Sequence, residues 1–268
     1  MAKETKRPGA APIAPAAVTH DWSQTKGPTG FENVNQEDLG IPFLTILQKG
    51  SPQVDRDHKD YELKQIEGAE VGDIINTVSN TVVASAGEEL EFIPCSYQRL
   101  YMEWTPREKG GGLVKTHRDS NILLECQRNE RGQDVLRSGN IIVTTAYFYG
   151  IAIIDGSRTP CIIGLSSTQL KKAKQWINMC TSLKLTNSAG VKYTPPMFSH
   201  TYKLSSISEK NEKGSWRGWS IKVGNMVSDP VLIADAMGYA KRATQIQAGL
   251  NAPPPRHDDD SDLDKVLA

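Results

Sequence analysis

Residues 140–154 read NIIVTTAYFYGIAII, and this stretch decides the fold. β-Branched and aromatic residues dominate it, which is typical of a β-strand. A turn at Asp155-Gly156 leads into a second apolar run, PCIIGL at 160–165, so the two segments predict a β-hairpin. We therefore expect the chain to be built around antiparallel strands.

Further elements are predicted upstream of this hairpin. Residues 88–104 alternate apolar and polar side chains and predict a long strand with an irregularity at Pro94. The β-branched run at 73–84 predicts another strand. Residues 41–49, IPFLTILQK, predict a helix, because a proline lies near its first turn and a glycine follows its end. The segment 105–120 contains three consecutive glycines and predicts a mobile loop.

Downstream of the hairpin the pattern changes from strand to helix and back. Leu170, Ala173, Ile177 and Cys180 are spaced three and four residues apart, which predicts a helix with one apolar face. The remaining elements are two strands at 200–207 and 215–223, joined by the polar connection 208–214, and a last helix from Pro230 to about Leu250.

The order of elements from 88 to 223 predicts an α+β, mainly β fold. The prediction is an OB-fold-like five-stranded barrel, with a helix between strands 3 and 4, extra N-terminal elements and a C-terminal helix. Residues 105–139 would form an insertion within a single domain spanning 38–250. Residues 1–37 and 251–268 are rich in proline, alanine or charge, and we expect a disordered N-terminal arm and a disordered acidic C-terminal tail.

The distribution of charge points to an anionic partner. The chain carries 31 basic and 31 acidic side chains, and this zero net charge by itself disfavours a polyanion. Residues 171–222, however, hold ten basic side chains against two acidic ones, a net of +8, whereas residues 249–268 have a net of −3. The same counts would also arise from a solvated lysine-rich face and a solubilising tail.

Motifs for catalysis and metal binding are sparse. The sequence contains no HExxH motif, no Walker A motif and no CxxC pair among its four cysteines. We expect a non-enzymatic protein without cofactor or metal, with free thiols. Asp55, Asp57, Asp60 and Glu62 beside His58 leave a metal cluster open as the alternative to a polar turn. No apolar run reaches membrane-spanning length and the start lacks a secretory pattern, so a cytoplasmic location without membrane partners is expected.

Aromatic residues interleave with basic ones in the middle of the chain. Bases stack on aromatic faces for roughly 1–3 kcal/mol each, and lysine or arginine binds the phosphates, so single-stranded DNA requires both residue types. The predicted nucleic-acid-binding footprint is Arg99, Tyr101, Trp104, Lys115, Arg118, Tyr147, Tyr149, Lys171, Lys172, Lys174, Trp176, Tyr202, Lys203, Trp216, Arg217 and Trp219.

The segments IPFLTILQKGSPQV and NEKGSWRGWSIKV, the OB-like middle and the acidic–aliphatic C-terminus resemble bacteriophage single-stranded-DNA-binding proteins over most of 38–268. The resemblance implies binding of exposed strands during phage DNA replication, recombination or repair, in the host cytoplasm. It also implies that the tail recruits replication or recombination proteins. The tail residues expected to bind partners are Asp258, Asp259, Asp260, Asp262, Leu263, Asp264, Val266 and Leu267.

Other functions stay open on the sequence alone. A single-strand annealing protein of recombination would use similar surfaces. A metal-dependent nuclease would need carboxylates that only the fold brings together, and a virion or scaffold protein would need no nucleic acid. A homo-oligomer is compatible with each of these functions, and the tail can also compete with DNA for the protein's own basic surface.

Overall fold

A computed structural model describes residues 40–249 apart from residue 213. The predicted N-terminal arm (1–37) and acidic tail (251–268) lie outside the described residues. The helices are α1 (Tyr61–Lys64), α2 (Leu170–Ser182) and α3 (Pro230–Gly249). The strands are β1 (Leu44–Ile46), β2 (Ile74–Asn76), β3 (Thr81–Ala84), β4 (Leu90–Trp104), β5 (Leu113–His117), β6 (Gln127–Arg128), β7 (Asp134–Val135), β8 (Ile141–Ile154), β9 (Ser157–Ser166), β10 (Leu185–Thr186), β11 (Lys192–Tyr193), β12 (His200–Asn211) and β13 (Gly214–Met226).

The main sheet is antiparallel and curled, and its five long strands lie in the order β13–β12–β4–β8–β9. β4 pairs with β8 over nearly its whole length, and β12 joins the first residues of β4. α2 follows β9 and precedes β12. The prediction of a mainly β, α+β fold with a helix between the third and fourth long strands is therefore confirmed.

Both faces of this sheet are buried. The inner face carries Phe92 and Phe148, on which Trp176 of α2 packs; the Trp176 and Phe148 rings stack with centroids 4.0 Å apart. The outer face carries Ile93 and Tyr149 and is covered by α3. A sheet that is buried on both sides leaves few of its own side chains open to a ligand.

A β-bulge in β4 decides which side chains reach each face. Pro94 pairs with Gly150 but Ser96 pairs with Tyr149, so β4 contains one residue more than β8 at this point. Because successive side chains of a strand alternate between faces, the extra residue reverses the alternation. Without the bulge, Tyr97 would share the outer face with Ile93; with it, Tyr97 packs against the inner cluster.

Residues 42–48 connect β9 to β13, and the prediction of a helix at 41–49 is wrong. The Ile162 amide donates to the Pro42 carbonyl (2.9 Å), and Phe43 forms a parallel bridge with Ile162. The Gln48 side chain bonds both the amide and the carbonyl of Arg217, each at 2.9 Å. The apolar side chains of this segment enter a sheet-lined core in extended conformation, so tertiary packing overrides their helical spacing.

Two further predictions are corrected. Residues 73–84 form the hairpin β2–β3 instead of one strand, with Asn80 at a positive φ of 51° in the turn. The predicted mobile loop at 105–120 contains β5, which pairs with the second half of β4. None of the helices within residues 40–249 is long and apolar enough to cross a membrane.

Gly150 is required opposite the bulge. A Cβ at this position would collide with the Ile93 carbonyl oxygen and with the Phe92 ring. We expect Gly150→Ala to lower the free energy of unfolding by about 3 kcal/mol, since a backbone atom cannot move aside at low cost. Urea unfolding measures this loss.

The matched control is Gly164→Ala on β9. The nearest atom to a Cβ there would belong to the Tyr147 ring, at 3.2 Å, and a ring can shift by a few tenths of an ångström; the Thr145 methyl group lies at an ordinary contact distance of 3.7 Å. Equal losses of unfolding free energy in the two variants would contradict the claim that glycine is required opposite the bulge.

Candidate nucleic-acid interface

Three footprint aromatics belong to the inner core. Trp176 and Tyr202 have no exposed surface, and Trp219 is 2% exposed. Trp176 stacks on Phe148, and the Tyr202 hydroxyl donates to Cys180 Sγ (3.1 Å). A ring whose faces are covered by protein cannot stack on a base, so the prediction for these three residues is wrong.

Three more footprint aromatics are closed off by neighbouring elements. Tyr147 packs edge-on against Phe43, and the Tyr149 hydroxyl donates to the Gln98 side chain (3.2 Å). Burial raises the pKa of Tyr149 to about 12. Tyr101 is only 7% exposed. Alternation along a strand predicts side chains on opposite faces, but it does not predict that α3 and residues 41–43 cover the second face.

Glu209 holds the β12–β13 hairpin against the start of α2. Its carboxylate accepts hydrogen bonds from Gln169 Nε2 (2.8 Å) and Trp216 Nε1 (2.9 Å) and an ion pair from Lys172 Nζ (3.0 Å). Burial pulls the pKa of Glu209 upward, but the three donors outweigh it and hold the pKa below its ordinary value. Lys172 and Trp216 of the footprint therefore have a structural role.

Carboxylates also neutralise part of the basic charge elsewhere. Lys203 and Lys222 both pair with Glu89, at 2.9 and 3.1 Å. Arg217 lies beside Gly72 and is held at its backbone by Gln48. The count of ten basic residues in 171–222 thus exceeds the charge that is open to a ligand.

The footprint residues of β4 and β5 form a separate group. Arg99 and Tyr101 lie on the inner face, opposite Ala146 and Thr144 of β8. Trp104 packs into the outer cluster, whereas Lys115 and Arg118 are exposed on or beside β5. The predicted footprint is therefore divided between these residues of the sheet and the lysines of the helix α2.

Residues 171–208 contain six lysines and no aspartate or glutamate. We call this stretch the acid-free segment; it includes α2 and the hairpin β10–β11. Lys171 and Lys174 are exposed on α2, opposite its buried residues Ala173 and Trp176. Neither lysine forms an ion pair with any part of the chain that the structure describes.

The hairpin β10–β11 is tied to the end of α2. Lys184 Nζ donates to the Thr181 carbonyl and to Thr194 Oγ1. On this hairpin Tyr193 is 44% exposed, beside the exposed Lys192. The acid-free segment therefore presents lysines together with an open aromatic ring. Tyr193 is missing from the predicted footprint, although its neighbour Lys192 was the signal that could have found it.

No three His, Cys, Asp or Glu side chains within the described residues converge on a metal-sized site. Residues 55–62 contain the candidate metal cluster of the sequence. Here the Asp55 carboxylate accepts a hydrogen bond from the Asp57 amide (3.1 Å), and His58 Nδ1 accepts one from the Asp60 amide (3.1 Å). These side chains bond the local backbone. The tail residues predicted to bind partners lie outside the described residues.

Comparison with known protein families identifies a match. A family model described as Pam3 phage gp34-like protein matches residues 6–247. Neither the curated proteins nor the solved structures compared with the chain contain a match.

The Glu209 contacts predict a pH-dependent stability. Because the pKa is lowered in the fold, the carboxylate stabilises the protein above the unfolded-state value and loses this effect as pH falls through the folded value. Glu209→Gln should cost about 1–2 kcal/mol at pH 7, since charge-assisted hydrogen bonds become neutral ones. Urea unfolding across pH 7 to 3 should show the variant and the wild type converging in acid.

Glu212→Gln, at an exposed position in the turn between β12 and β13, is the control and should leave stability unchanged. A Glu209→Gln cost that is constant with pH would contradict the assignment.

Proposed function

The chain belongs to the Pam3 phage gp34-like protein family, and on this premise we propose that it binds single-stranded DNA without strong sequence preference. The family indicates a phage origin. The proposed role is to cover exposed strands in phage DNA replication, recombination or repair, by binding and without catalysis.

The observation that carries the proposal is the acid-free segment. Two of its six lysines, Lys172 and Lys203, pair with Glu209 and Glu89. The other four still give a local positive potential that the zero net charge of the chain conceals. Lys171 and Lys174 are exposed on one helix, and Tyr193 offers a ring for stacking on the adjoining hairpin. Open lysines beside an open aromatic ring suit unpaired bases on a phosphate backbone.

We also propose that the five long strands and α2 form a fold of the OB type. The order β13–β12–β4–β8–β9 with α2 after β9 supports a partly open, five-stranded Greek-key barrel. In such barrels the first and last connecting loops flank the ligand. Their counterparts here are the insertion between β4 and β8 and the turn between β12 and β13. β9 and β13 share no ladder within the described residues, and residues 42–48 connect them instead.

The acidic tail completes the proposal. Residues 256–268 hold five aspartates and two basic residues, and their charge is opposite to that of the acid-free segment. We propose that the tail recruits replication or recombination proteins and competes with DNA for the lysines when DNA is scarce.

Titration of the full chain with fluorescein-labelled oligo(dT), followed by anisotropy at several salt concentrations, tests the function. We expect affinity to fall steeply as salt rises, because phosphate contacts release counterions. The double variant Lys171→Glu and Lys174→Glu should bind on the order of tenfold or more weakly, since two contacts become repulsive. Unlabelled duplex of the same length should compete poorly.

The charge-matched control is Lys59→Glu with Lys64→Glu, at exposed positions in and beside α1. This control should bind like the wild type. Binding that is absent or insensitive to salt would overturn the proposed function, and equal losses in both double variants would overturn the assignment to α2. A chain lacking residues 256–268 should bind more tightly at low salt; unchanged affinity would reject competition by the tail.

A further inference from the structure

In the part of the chain that the structure describes, Arg99 is a partly buried cation without a partner. Its side chain lies on the inner face of β4, between Tyr97 and Tyr101, because alternate residues of a strand share a face. The Nε atom is buried and has no hydrogen-bond partner. Within residues 40–249, Arg99 forms neither an ion pair nor a hydrogen bond.

The one carboxylate that β4 places on the same face as Arg99 already has partners. Glu103 follows Tyr101 on the inner face, about 13 Å along the strand from Arg99 at roughly 3.3 Å per residue. It accepts from His117 Nε2 (2.8 Å) at one oxygen and from Asn140 Nδ2 (2.6 Å) at the other. Glu103 therefore balances His117 and Lys115 rather than Arg99.

A desolvated guanidinium nitrogen without an acceptor is unfavourable in a folded protein. Arginine also offers a planar fork of donors that fits a phosphate or carboxylate better than lysine does. Ala146, directly opposite on β8, has no polar side-chain atom that could accept a hydrogen bond from Arg99. The site therefore combines an unsatisfied donor, two flanking tyrosines and no competing acid.

We infer that Arg99 is the receptor for one phosphate group at the inner face of the sheet. The inference rests on the proposed function, because the phosphate is taken to belong to the bound DNA strand, as a diester between two stacked or turned-out bases. The inference goes beyond the role of the acid-free segment, whose exposed lysines attract the phosphate backbone of DNA from solvent. Arg99 would instead fix the position of one phosphate by direct hydrogen bonds.

Arg99→Met gives the decisive test, because binding and structural roles predict opposite effects on stability. If the arginine waits for a ligand, removing the unpaired cation leaves the melting temperature of the free protein unchanged or raised. Affinity for oligo(dT) should fall on the order of tenfold, and the slope of log affinity against log salt should decrease by about one. Arg99→Lys keeps the positive charge but lacks the planar fork of donors. This variant should fold, and its affinity for oligo(dT) should lie between those of the wild type and Arg99→Met.

Arg158→Met is the matched control. Arg158 pairs with Asp229 and Asp235 at 2.8 Å each, so its role is to attach α3 to β9. This variant should melt at a lower temperature and bind oligo(dT) like the wild type.

The outcomes separate the two proposals. If the wild type fails to bind oligo(dT), the proposed function falls. The wild type can also bind oligo(dT) while Arg99→Met and Arg99→Lys bind it with the same affinity as each other. That result would overturn only the assignment of Arg99 as a phosphate receptor. The same assignment would be overturned if Arg99→Met melts well below the wild type without loss of affinity. Thymidine monophosphate distinguishes the source: a rise in melting temperature that needs Arg99 indicates a free nucleotide as an alternative ligand, and no rise indicates the DNA backbone.

Discussion

The bulge at Pro94–Ser96 is the constraint on which the rest of the structure depends. β4 is the strand that pairs with β8, β12 and β5, so its side chains contribute to both faces of the sheet. One extra residue reverses the alternation halfway along it. The first half thereby sends Phe92 into the aromatic core, and the second half places Tyr97, Arg99 and Tyr101 on that same side. A regular strand would have turned the arginine toward α3 instead.

Burial on both faces explains why the open binding groups lie outside the long strands. The inner face is filled by Trp176 and its aromatic neighbours, and the outer face by α3. What stays accessible is the solvent face of α2 and the hairpin β10–β11, whereas Tyr97 and Arg99 of β4 are only partly covered. Carboxylates at Glu89 and Glu209 hold other lysines in structural pairs, so the net charge of a segment overstates the charge that a polyanion meets.

The sequence predicts the long strands and the two long helices well, because their apolar period is sustained over ten or more residues and turn residues bound them. It fails at 41–49, where a short apolar run fits either helix or strand and only contact with β9 decides. The candidate site is predicted less well. Lysine next to aromatic residues marks the right region, but the exposure of Tyr193 and the burial of Trp176 depend on which elements cover the sheet. That covering is a property of the tertiary fold, and no local pattern encodes it.

The central claim is that DNA meets the acid-free segment and the part of β4 around Tyr97 and Arg99. Photocrosslinking of the full chain to an oligo(dT) containing 5-iododeoxyuridine, with mass spectrometry of the linked peptides, tests this claim most directly. The account predicts attachment at Tyr193 and at the β4 peptide that contains Tyr97. Attachment confined to Tyr61 of α1 or to the α3 peptide with Tyr239 would contradict it.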